Sequence, residues 1–106
     1  GELKHGPIAL VENNFPVIGI MTDKKLLEKS ESNLQEVISR GAKTIVITNQ
    51  KIDKKFDYVI EIPEINKYLS PILSVIPLQL LSYYISKKKG LDVDKPRNLA
   101  KSVTVE

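Results

Sequence analysis

The apolar positions of this chain come in two rhythms. Val17-Ile18-Gly19-Ile20-Met21 is a continuous apolar run, and Thr44-Ile45-Val46-Ile47-Thr48 is a second run rich in β-branched residues. Runs of this length and composition predict strands of a parallel sheet, the first buried on both faces. Gly19 inside the first run predicts that another side chain or backbone comes close there. Between them, Lys24 to Arg40 carries Leu27, Leu34, Val37 and Ile38 on one stripe. Glu28, Lys29, Glu31, Glu36 and Arg40 fall largely off it. That pattern predicts an amphipathic helix, capped by Thr22-Asp23 and stopped at Gly41. Strand, helix and strand in this order read as a right-handed βαβ unit.

After a polar loop from Asn49 to Asp57, Tyr58 to Ile62 reads as a third strand ended by Pro63. Its direction stays open on pattern alone, because the connection is shorter than a parallel crossover usually needs. Ser70-Pro71 opens a long helix running to about Lys89, stopped by Gly90 and kinked at Pro77. Its apolar residues lie nearly all round the axis, from Ile72 and Leu73 to Tyr84 and Ile85. Such a helix is buried on more than one side. Three strands cannot supply that cover, so a further part of the domain, a partner subunit, or both must do so. Nearer the start, Gly6-Pro7 predicts a short helix through Val11, stopped by Asn13-Asn14. Near the end, Pro96 predicts one more helical turn, with Asp94 or Lys95 at its cap, before the extended run Ser-Val-Thr-Val-Glu.

Composition narrows the classes. The 106 residues suit one domain with a modest core. A net charge of +3 with both signs interspersed is too mild to argue for nucleic acid. Lys87-Lys88-Lys89 is the densest basic run and suits a helix C-terminus. There is no cysteine, so disulfides and Cys-based metal sites are excluded. One histidine does not make a zinc site. The most apolar run, Pro71 to Ile85, is interrupted by Ser74, Pro77, Gln79 and Ser82 and is shorter than the ~20 residues a membrane span needs. A cytoplasmic protein is expected. A start at Gly-Glu-Leu-Lys-His, without methionine, is expected of a fragment.

Two side chains stand out chemically. Lys101 lies between Ala100 and Ser102, small neighbours that let a ligand approach the amine closely. A deprotonated lysine attacks a ketone to form an imine, provided that desolvation or a nearby cation removes its proton near neutral pH. His5 stands just before Gly6-Pro7, and histidine titrates near physiological pH. Composition alone favours a solvated tail lysine and a surface histidine.

The wording around them carries more. Pro96-Arg97-Asn98-Leu99-Ala100-Lys101-Ser102-Val103-Thr104-Val105-Glu106, preceded by Lys89-Gly90-Leu91-Asp92-Val93-Asp94, closely resembles the C-terminus of the glucosamine-6-phosphate synthase family. Gly1 to Pro7 and Pro77 to Tyr83 also resemble that family, the former through a His-Gly-Pro motif shared among sugar isomerase (SIS) domains. The resemblance covers the whole chain. It implies an α/β fold: a three-layer αβα, flavodoxin-like or Rossmann-like SIS domain with a parallel sheet, incomplete at its N-terminal side. Residues 1–106 would be the C-terminal portion of the second SIS subdomain, with 92–106 as its tail.

The same resemblance implies that Lys101 forms the imine with an open-chain keto sugar. Ala100 and Ser102 line the sugar site, and His5 assists ring opening in the neighbouring subunit of a homodimer. The ligands are fructose 6-phosphate and glucosamine 6-phosphate, with no cofactor and no metal. The glutaminase domain, the first SIS subdomain, the phosphate-binding segment and the proton-shuttling glutamate all belong to the rest of the same enzyme. The 106 residues alone are therefore expected to be inactive. Arg97 is expected to anchor the tail against a carboxylate. Rival readings are a non-catalytic sugar-phosphate-binding SIS module, another phosphosugar isomerase, and a purely structural interaction domain.

Overall fold

A computed structural model describes residues 1–97. Three strands, β1 (Pro16–Met21), β2 (Lys43–Thr48) and β3 (Tyr58–Glu61), form one sheet in the order β1-β2-β3. Both pairings are parallel, which settles the direction that pattern left open for β3. Helix α1 (Leu27–Ile38) connects β1 to β2, and α2 (Ser70–Lys88) follows β3.

The register explains the layers. Pairing sets Val17, Gly19 and Met21 beside Thr44, Val46 and Thr48 on one face of the sheet. Leu34 of α1 comes so near Gly19 that a Cβ there would lie 2.8 Å from Leu34 Cδ1. The close approach expected at Gly19 is therefore present, and its partner is the α1 side chain. Met21, Leu34, Val37, Ala42 and Val46 form the core, with Val17, Leu27, Ile52 and Phe56 packed against it. The opposite face carries Ile18, Ile20, Ile45 and Ile47 in alternation. There α2 lies against β2, and Ile47 is buried. Ser70 and Ser74 are the two buried residues of α2; small side chains bring the helix near the strand.

Helix ends follow their sequence signals. Asp23 caps a 3-10 turn (Lys24–Leu26), its carboxylate accepting from the Lys25 N–H at 2.9 Å. That turn leads into α1, so the predicted helix from Lys24 begins tighter than an α-helix and ends at Ile38. Gly41, at φ +85°, closes it, with the Ala42 N–H reaching back to the Val37 carbonyl. Gly90, at φ +71°, ends α2 the same way, the Leu91 N–H bonding the Ser86 carbonyl.

Three expectations change. Strand β1 is buried on one face only: Ile18 is 42 % and Ile20 49 % exposed, because among the described residues no helix covers that side of the strand. The helix expected from Pro7 is a pair of 3-10 turns, Leu3–His5 and Pro7–Leu10. Gly6, at φ 162° and ψ −61°, separates them, and neither is long enough to repay α-helix nucleation. Helix α2 is assigned continuously from Ser70 to Lys88 with Pro77 inside it, so the helix is not ended there. The proline only removes the bond that residue 77 would have made to the Leu73 carbonyl.

Candidate functional site

His5 closes the first 3-10 turn and is solvent-exposed, its side chain 61 % accessible. Its Nδ1 lies 3.8 Å from Glu2 Oε2, one turn earlier, close enough for a weak attraction when the ring is protonated. No other charged group of the described residues pairs with the ring. An imidazole presented outward is placed to act on something beyond its own core. Ala100, Lys101 and Ser102 lie outside the described residues.

The segment that leads toward them is described. Past Gly90, Asp92 turns the chain, its carboxylate accepting from the N–H groups of both Asp94 and Lys95 at 2.9 Å. The cap expected of Asp94 or Lys95 is thus made by Asp92. This segment and α2 enclose an open groove of about 860 Å³. From the helix, Gln79, Ser82, Tyr83 and Ser86 line it; from the segment come Asp92, Lys95 and Arg97 among others. Spacings of three, four and seven put the helix residues on one stripe, the polar stripe of an otherwise apolar helix. The groove therefore offers hydroxyls, an amide and two cations at the place where the chain runs on toward Lys101.

The two ends of the sheet are tied differently. At the carboxyl ends, the Thr48 hydroxyl donates to the Met21 carbonyl at 2.7 Å and accepts from the Gln50 N–H at 3.0 Å. It locks β1 to β2 where open parallel sheets present their ligand crevices. The Asp23 carboxylate is engaged by its own helical turn, and its negative charge makes this end a poor phosphate cradle.

At the amino ends stands a cluster the sequence pattern did not reveal. One Asp57 oxygen accepts from Lys43 Nζ at 2.8 Å; the other accepts from the Thr44 N–H at 2.9 Å and the Thr44 hydroxyl at 3.0 Å. The Asp57 N–H returns a bond to the Thr44 hydroxyl. The Lys43 hydrogen bond first, then the two from Thr44, hold the Asp57 carboxyl down from its ordinary 3.8 to about 2. The same bond, with the charge of Asp57, pushes the Lys43 amine up. Every hydrogen-bonding direction of this carboxylate points at its own sheet, so it clamps the strand starts together. A second pair escaped the pattern: Glu31, buried on α1, meets Lys54 Nζ at 3.5 Å and pins the loop after β2.

Among the described residues no group of three or more His, Cys, Asp or Glu is placed to hold a metal. No described helix is long and apolar enough to cross a membrane.

A model of the SIS domain matches residues 1–86. This chain belongs to the SIS domain family. Over its whole length it is also similar to proteins named glutamine–fructose-6-phosphate aminotransferase (isomerizing). It is 57 % identical to the one from Clostridium perfringens over 111 residues, and 59 % identical to the one from Lactiplantibacillus plantarum over 106. It spans 18 % and 17 % of those proteins' lengths. Among solved structures, it matches the C-terminal domain of glucosamine-fructose-6-phosphate aminotransferase from Francisella tularensis with a TM-score of 0.81 at 41 % identity. That match covers 90 % of this chain and 28 % of the other. The resemblance to the glucosamine-6-phosphate synthase family is thereby borne out, and so is the parallel α/β architecture it implied for this SIS domain.

Proposed function

We propose that this SIS stretch is the C-terminal portion of the second SIS subdomain of an enzyme making glucosamine 6-phosphate from fructose 6-phosphate and glutamine. One observation carries the reading. The SIS model stops at residue 86, whereas the likeness to the named aminotransferases runs through the tail to residue 106. A generic SIS module accounts for the first part and not for the second.

In this reading the Lys101 amine adds to the ketone of open-chain fructose 6-phosphate, and water leaves as the imine forms. The imine is the electron sink. It stabilises the negative charge that builds when a proton leaves the adjacent carbon, and a glutamate upstream of this stretch carries that proton to its new position. Ammonia, released from glutamine in a domain outside the stretch, replaces the Lys101 nitrogen and frees the amine. Ala100 and Ser102 line the sugar beside it. His5, exposed beside its glycine-proline turn, reaches the sugar ring of a neighbouring subunit in a homodimer and assists its opening. The chemistry needs neither metal nor cofactor, and it suits a cytoplasmic enzyme.

Borohydride reduction tests the covalent step. Treating the full-length protein with fructose 6-phosphate and borohydride is expected to fix the sugar on Lys101, found by peptide mass. A Lys101→Arg protein that keeps full synthase turnover, or reduction that leaves Lys101 unlabelled, overturns the reading. Sugar-phosphate binding without labelling instead points to a non-catalytic SIS module. Turnover independent of glutamine and ammonia points to another phosphosugar isomerase.

A further inference from the structure

The two edges of the sheet are not alike. Strand β3 is short, ends in Glu61, and is followed by Pro63 one residue later. A short strand with a charge and a nearby proline is how natural sheets blunt a true edge. Strand β1 is longer and carries no charge from Val17 to Met21. The Phe15 carbonyl accepts from the Lys43 N–H and the Met21 carbonyl from the Thr48 hydroxyl, so the odd-numbered positions turn their backbone groups toward β2. Alternation then turns the Ile18 and Ile20 backbone groups to the outer edge. Their side chains are also the half-exposed apolar ones of the face that α2 covers only at β2. An unblunted edge and an uncovered apolar face meet at the same two residues.

We propose that this corner is a docking surface for one strand-and-helix unit of the polypeptide that precedes this stretch in the full-length protein. The strand pairs parallel with β1 through Ile18 and Ile20. The helix lies beside α2 over their side chains. Parallel addition fits the two pairings already present, and covering helices are what parallel sheets require. The occupant is placed in the same polypeptide because the chain spans only 28 % of the length of the solved relative it matches. The proposal rests on the reading of this chain as part of a longer enzyme.

Amide hydrogen exchange of the full-length protein, resolved at single residues, tests it. The Ile18 and Ile20 amides are expected to exchange at least about 100-fold more slowly than unstructured amides, as for a strand interior. The protection should not change on dilution. Exchange within about 10-fold of the unstructured rate overturns the proposal, and protection that dilution releases assigns the surface to a second copy and overturns it too. Interior amides of β2, at Val46 and Ile47, report that the sheet is intact. Synthase turnover is measured on the same sample. A protected β1 in a protein without turnover sinks the enzymatic reading alone, and an unprotected β1 in an active protein sinks the docking alone. Ile20→Lys supplies a second readout: it is expected to cut the soluble yield of the full-length protein several-fold, whereas a free edge would tolerate the lysine.

Discussion

Gly41 and Gly90 end their helices in the same left-handed region, yet they do not tolerate the same change. A Cβ on Gly41 would stand 2.8 Å from Asn13 Oδ1 and 3.1 Å from Asn13 Cα, in a backbone that also donates its carbonyl to the Asn14 N–H. A Cβ on Gly90 meets nothing within 4 Å. Gly90→Ala should therefore cost only the left-handed strain, about 1 kcal/mol, and Gly41→Ala that strain plus a backbone collision, together about 2–3 kcal/mol. Urea midpoints of the two variants check the order, and equal losses would refute the geometry. Both glycines were legible in sequence as helix stops. The penalty that separates them was not, because Asn13 is brought to Gly41 by the fold rather than by neighbourhood in the chain. Gly19 makes the complementary case. A glycine in an apolar run announced that something comes close, but only the register of β1 against α1 names Leu34. Glu31 was misjudged for a related reason. Leu27, Glu31, Leu34 and Ile38 recur at the spacing of one helix face, so the position was on the buried stripe all along. Its polarity hid that, and its partner Lys54 lies in a loop whose path no periodicity encodes.

At the scale of elements, hydroxyls and one carboxylate fix how strands meet. The Thr48 hydroxyl joins the end of β1 to the loop after β2 while fully buried. Thr48→Val keeps the shape and strands the Met21 carbonyl and the Gln50 N–H, an expected loss of about 1–3 kcal/mol in chemical denaturation. Asp57 works at the opposite end of the sheet. Its folded carboxyl titrates at about 2 against an ordinary 3.8, so the folded state binds the proton less tightly than the unfolded chain. Its contribution is complete above 3.8 and disappears as pH falls toward 2. Lys43 has the opposite sign: its raised value contributes below 10.5 and is lost as pH climbs past it. A melting-temperature profile should fall on the acid side in that window, and Asp57→Asn should flatten that fall while lowering the plateau. An unchanged acid limb in Asp57→Asn would remove the carboxylate from the account. The strands themselves were readable from β-branched runs. The clamp was not, since an aspartate before a tyrosine looks like any loop residue until β3 is laid parallel to β2.

At the scale of the whole molecule, the radius of gyration is 16.8 Å, where a compact chain of this length would have about 13 Å. The excess has a physical counterpart in α2. Ile72, Val75, Ile76, Leu80 and Tyr84 are all exposed, although the helix is apolar nearly all round. Sequence alone required cover for this helix, and the described residues supply it only along the strip at Ser70, Ser74 and Ile47. That mismatch yields a prediction with two arms. In the isolated 106-residue chain, Ile76→Lys with Leu80→Lys should change stability by no more than about 0.5 kcal/mol, as for surface positions, and should reduce self-association and hydrophobic-dye binding. In the full-length protein the same pair should cost more than about 3 kcal/mol, because two lysines would then be buried without partners. Thermal melts of both forms decide between them. Equal, small losses would mean that the flank faces water in the intact molecule too, and the helix's apolar girth would then need another explanation.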